Sequence, residues 1–104
     1  MNDAFLSALG LCKRAGRLVF GFETVKNAMQ KSEAEIVFSA SDLSAKTSKE
    51  LAFLCETYET EHIKTEYDMQ HLGASIGKVT GIIAVTDSGF AKMLKQKLVT
   101  QEGI

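Results

Sequence analysis

Apolar residues recur along the chain with two alternating periods. Phe5, Ala8, Leu9 and Cys12 stand at the spacing of one helix face, predicting a helix from Asp3 to about Arg14, capped by Asn2 or Asp3. Lys13 and Arg14 suit the negative end of that helix, and Gly16 suits the left-handed turn beyond it. Leu18-Val19-Phe20 is too short for a helix and fits a pleated surface, so a strand of about four residues is expected from Arg17. Gly21 breaks it. Val25, Ala28 and Met29 then return to helical spacing in a second helix from Phe22 to Lys31.

The alternation continues. Ile36 to Ala40 is apolar enough for a strand buried on both faces, and Ser44 ends a polar break as the N-cap of a third helix reaching about Thr57. Leu51, Leu54, Cys55 and Tyr58 form its apolar stripe. Ile63 to roughly Tyr67 reads as a weaker strand, placed at a sheet edge by its charges. Asp68 caps a short helix with Met69, Leu72, Gly73 and Ile76 on one face, and Gly77 to Gly81 is a loop. Ile82-Ile83-Ala84-Val85 reads as a central strand, and Asp87 or Ser88 caps a last helix whose Phe90, Met93, Leu94 and Leu98 point inward. Strands alternating with helices imply a three-layer α/β/α sandwich with a mixed sheet of about four strands, built as a single domain over residues 1–104.

Composition narrows the function classes. Proline is absent, the apolar fraction is 45% and no apolar stretch approaches the ~20 residues of a membrane span, as expected of a cytoplasmic protein with no membrane partner. The cysteines, Cys12 and Cys55, are far apart among apolar neighbours and read as buried thiols. A net charge of −1 gives no overall pull toward nucleic acid; were RNA the partner, the positive charge would have to be local. His62 and His71 fit surface positions better than metal or general-base roles. No carboxylate pair, phosphate loop, dinucleotide fingerprint or nucleophile elbow is present, so no catalytic residue, metal or cofactor is expected.

Two segments are candidate contact regions. One is the Gly21 junction, where a strand ending in glycine feeds a helix N-terminus whose N–H groups favour phosphate or base oxygens; the plain alternative is a strand-to-helix turn. The other is the Gly77–Gly81 loop together with Val85 to Phe90, expected to flank Gly21 and complete one rim; its plain alternative is a capped helix start.

The stretches Leu9 to Gly21, Ala34 to Val37, Ala40 to Ser44 and Ile83 to Ala91 resemble the bacterial members of the kink-turn-binding ribosomal protein superfamily, which includes the archaeal large-subunit protein seven-Ae and the eukaryotic thirty-e. The similarity runs in order along almost the whole chain. It implies a small monomeric RNA binder, non-enzymatic and ribosome-associated, whose partner is RNA with a kinked internal loop, either ribosomal RNA or a structured messenger leader. In the family, an Asn-Glu pair after the first-strand glycine, and a Lys three residues after the Glu, read guanine edges in sheared G·A pairs.

Aligned without gaps, Glu23, Thr24 and Asn27 take those positions; shifted by one residue, Phe22, Glu23 and Lys26 take them. The resemblance therefore implies an RNA-binding set of Lys13, Arg14 and Arg17 on phosphates, Gly21, Phe22, Glu23, Thr24, Lys26 and Asn27 at base edges, and Val85, Thr86, Asp87 and Ser88 as the loop before the last helix. The substituted motif positions and the acidic balance leave a second reading, a protein-interaction adaptor that kept the fold and lost kink-turn recognition.

Overall fold

The computed structural model describes residues 3–102, and side-chain burial through Leu98. The elements are α1 (Ala4–Arg14), β1 (Leu18–Phe20), α2 (Phe22–Gln30), β2 (Ile36–Ser39), α3 (Ala45–Thr57), β3 (Glu61–Lys64), α4 (Met69–Ile76), β4 (Ile82–Val85) and α5 (Ser88–Glu102). The strands form one mixed sheet in the order β1-β4-β2-β3. β2 and β3 pair in parallel, whereas β4 runs antiparallel to both β1 and β2. β1, β2 and β3 therefore share one direction, and only β4 opposes it.

The apolar pattern explains the layering. Successive residues of a strand face opposite sides, and β4 uses both: Ile83 and Val85 enter the core beneath α1, α4 and α5, while Ile82 and Ala84 enter the core beneath α2 and α3. Phe5 and Phe38 anchor the first core edge to face, with ring centroids 5.2 Å apart and planes at 76°. Val25 and Met29 of α2 and Leu51 and Cys55 of α3 close on Val37 in the second. The expected α/β/α sandwich, the central place of β4 and the edge place of β3 are all present.

Three expectations need correction. β3 lies at Glu61–Lys64 instead of Ile63 to Tyr67, because Ile36 pairs with Glu61 and Ser39 with Lys64. Thr65 ends the strand by donating both its N–H and its hydroxyl to the Ser39 carbonyl, each at 2.9 Å. Tyr58, expected on the inner stripe of α3, is the C-cap residue, 38% exposed, and its hydroxyl accepts from Gln30 at 3.4 Å. His62, expected at the surface, is half-buried, with its Nε2 2.8 Å from Ser39 Oγ.

Burial, and secondarily the Lys64 charge, hold the His62 pKa below its ordinary value of about 6.5. A histidine depressed in this way takes up its proton at higher pH when unfolded. Its stability contribution is intact above about 6.5 and is lost as pH falls from there toward the folded pKa. Urea unfolding should thus show stability falling as pH drops below about 6.5, by less in His62→Gln than in the parent. An identical pH dependence in the two proteins would exclude His62 as a source.

Candidate nucleic-acid interface

Because β1, β2 and β3 are parallel, their C-terminal ends lie along one end of the sheet, and each feeds a helix there. Asp3, Ser44, Asp68 and Asp87 cap α1, α3, α4 and α5 by accepting from the N–H of Leu6, Thr47, His71 and Phe90. Helix α2 differs: it starts from Gly21, which offers no side-chain cap. Its first-turn N–H groups are thus available to an outside acceptor, at the positive end of the helix dipole.

Gly21 has φ +92 and ψ 147, and a Cβ built there would meet nothing within 4 Å. Conformation, not crowding, requires glycine, and open space lies in front of it. The junction is tied to the start of β4. The Gly21 N–H donates to the Ile82 carbonyl at 3.0 Å, and the Thr80 hydroxyl donates to the same oxygen at 3.2 Å. The Ala40 N–H donates to the Gly81 carbonyl at 2.8 Å, so the Gly77–Gly81 loop does flank Gly21.

At this end the exposed side chains of α2 are Glu23, Thr24 and Asn27, and on the loop Lys78 and Val79 are exposed where the chain passes over Gly73 of α4. Val79 is 68% exposed. Lys26 is half-buried. Phe22 is also half-buried and packs with Val25 and Met29 on the inner core, which turns it away from a surface ligand. Among the described residues neither Glu23 nor Lys26 belongs to an ion pair; the pairs present are His71 with Asp68 and Lys95 with Glu61. The pattern marked the Gly77–Gly81 loop without singling out Lys78 and Val79, the loop's exposed long side chains.

The remaining expected contacts lie elsewhere. β4 runs antiparallel to β1, so Val85 pairs with Leu18, and the Thr86 N–H donates to the Arg17 carbonyl at 2.9 Å. The segment Val85 to Ser88 therefore sits at the opposite end of the sheet from Gly21, not beside it. Val85 is fully buried, and Asp87 caps α5. Lys13, Arg14 and Arg17 share that far end with Thr86, separated from Gly21 by the length of β1, on the order of 13 Å at ~3.3 Å per residue. The single rim expected from the sequence is two surfaces.

Among the described residues no group of three His, Cys, Asp or Glu side chains is placed to hold a metal ion, and no helix is long and apolar enough to cross a membrane.

Comparison with known proteins bears on what such a surface serves. Two relatives are each named "RNA-binding protein YlxQ". The one from Bacillus subtilis (strain 168) is 37% identical over 87 residues, covering 83% of this chain and 86% of the relative. The one from Enterococcus faecium is 31% identical over 91 residues, covering 88% and 87%. A solved structure of a protein of unknown function from Bacillus halodurans C superposes with a TM-score of 0.87 at 34% identity, over 93% of this chain and 98% of that one. The Giardia lamblia 15.5kD RNA binding protein shares the fold, with a TM-score of 0.76 at 14% identity over 99% and 92% of the two chains. Residues 3–95 match the family described as Ribosomal protein L7Ae/L30e/S12e/Gadd45, and the chain belongs to it.

Proposed function

We propose that the protein is a non-enzymatic, monomeric RNA-binding protein of the cytoplasm, ribosome-associated, that recognises a kinked internal loop at the Gly21 rim. The observation that carries this reading is the bare start of α2, facing open space beside an exposed apolar loop residue, in a chain whose relatives carry RNA-binding names. Uncapped N–H groups suit phosphate or base oxygens, and Val79 offers an apolar surface for an unstacked base.

Exposure supports the gap-free alignment of the recognition helix. Glu23, Thr24 and Asn27 are all exposed and project from one side of α2, whereas the shifted set includes the half-buried Phe22 and Lys26. In this assignment the Glu23 carboxylate accepts from a guanine N–H and the Asn27 amide, one turn later, donates to a base acceptor.

Gel-shift titration of a kink-turn duplex against a control with its G·A pairs replaced tests the proposal. The kink-turn duplex should bind more tightly, and Glu23→Ala should reduce that preference by about tenfold, within the range of one good base contact. Equal binding of the two duplexes by the parent protein would reject kink-turn recognition. The adaptor reading is favoured by Phe53, an aromatic side chain 66% exposed on α3. Partners that survive RNase treatment of a lysate pull-down would support it.

A further inference from the structure

The far end of the sheet holds a concentration of positive charge that the Gly21 rim does not use. Helix α1 ends in a hydrogen-bonded turn in which the Gly16 N–H donates to Lys13 O and the Arg17 N–H to Cys12 O, each at 3.0 Å, with Gly16 left-handed at φ +72. This turn fixes the backbone from which Lys13, Arg14 and Arg17 project. All three are exposed, and none forms an ion pair among the described residues.

The opposing charges nearest this turn are Asp87 and the end of α1; Glu33, Glu35, Glu59 and Glu61 stand at the same end of the sheet but toward β2 and β3, with Glu61 paired to Lys95. Asp87 lies beside this turn, and its Oδ2 accepts from the Phe90 N–H at 2.9 Å. Glu35 begins the approach to β2, which is separated from β1 by β4. The α1 C-terminus itself adds a partial negative charge of about half a unit. On the β1 side the three cations outnumber Asp87 and the helix end, while the acidic residues gather across the sheet toward β2 and β3. Guanidinium groups match phosphate oxygens in bidentate geometry, and contacts of this kind carry no sequence information.

We propose that Lys13, Arg14 and Arg17 form a second, sequence-independent site for the RNA backbone, so that one molecule holds two separate duplex segments, one at each end of the sheet. The two-segment form rests on the rim being the kink-turn site; the existence of the backbone site does not. Ser88, exposed at the same end, adds a hydroxyl donor beside the cations. The occupant is the phosphodiester backbone of A-form RNA, read by charge alone.

The test follows fluorescence anisotropy of a labelled plain duplex without G·A pairs at about 50 mM salt, where such contacts are strong. Parent protein should bind it alone and after addition of one molar equivalent of unlabelled kink-turn duplex. The variant K13A/R14A/R17A should bind the plain duplex at least about tenfold more weakly, with a log–log salt slope flatter by about 2 to 3, and should keep its preference for the kink-turn duplex over its control. Glu23→Ala should do the reverse, losing the preference and keeping the plain duplex. The proposal is overturned if the triple variant binds plain duplex like the parent, if it loses kink-turn preference in step, or if one equivalent of kink-turn duplex displaces the plain one. It is also overturned if polyglutamate binds with the same three-residue dependence at lower concentration, since that assigns the cluster to an acidic protein. A parent protein that fails to prefer the kink-turn duplex removes the rim reading alone; the effect of the triple variant on plain duplex still decides the backbone site.

Discussion

Phe38→Ala should lower the stability of the protein by about 3–5 kcal/mol, the range for truncating a fully buried aromatic residue. Phe38 is 0% exposed in the middle of β2, and its ring meets Phe5 of α1 edge to face at 5.2 Å. Phe5 in turn stacks on Tyr67, with centroids 5.4 Å apart and planes 8° apart, so the ring of Phe38 supports an aromatic series joining the sheet to α1. The loss combines transfer of the ring to water with a cavity that two flanking helices and a paired strand cannot easily close. Since domains of this size are stable by roughly 5–15 kcal/mol, the variant should unfold at a far lower urea concentration. Phe38→Leu, which keeps most of the volume, should cost less than half as much. A loss below about 1.5 kcal/mol for the Ala variant would mean that the layer collapses onto the gap.

The second large effect is expected at Gly73, which links stability to the candidate interface. A Cβ at this position would lie 2.5 Å from the Lys78 carbonyl oxygen and 2.6 Å from the Val79 Cα. Both are backbone atoms, so the loop has to move. The Gly73 carbonyl also accepts from the Gly77 and Lys78 N–H groups at 2.8 and 3.0 Å, holding the loop against the helix. In an open helix, Gly→Ala stabilises by about 0.5–1 kcal/mol. Here overpacking, typically 1–3 kcal/mol, outweighs that gain. Gly73→Ala should therefore be less stable than the parent in urea unfolding and should displace Lys78 and Val79, weakening kink-turn binding through a residue that touches no ligand. Stabilisation by the helix-propensity amount would show that the close approach is not a constraint.

Much of this architecture was legible as pattern. The period change at Gly21 marks where a strand gives way to a helix, and those at Ile36 and Ile82 mark where strands begin, because β1, β2 and β4 each contribute residues to two cores. β3 was harder to place. Its sequence Glu61-His62-Ile63-Lys64 belongs to an edge strand with two exposed charged residues, and the signal drifted toward the more apolar Tyr67. Partial burial of His62 was invisible for a related reason: it involves Ser39, two register positions along β2 from its partner Val37.

The direction of β4 decides the site, and no periodicity encodes it. Strand–helix–strand alternation favours parallel crossovers. Helix α4, however, has only eight residues, about 12 Å of length, and the chain doubles back over Gly73 before β4 begins. Reversal of this one strand brings the end of the Gly77–Gly81 loop to Gly21 and carries Thr86 to Arg17. Sequence resemblance pointed to the start of α2, whereas grouping of Lys13, Arg14 and Arg17 with that helix relied on nearness along the chain, which β1 undoes.

The two cysteines lie on opposite sides of the sheet, Cys12 in the layer of α1 and Cys55 in that of α3. Burial pushes both thiols up to about 11, with the Asp87 charge a smaller cause at Cys12. A thiolate forms readily only when the layer above it opens, so the alkylation rates of the pair act as separate clocks for the two halves of the sandwich. An RNA clamped against α2 should slow the clock at Cys55 more than that at Cys12, and a duplex held near Arg17 should do the opposite.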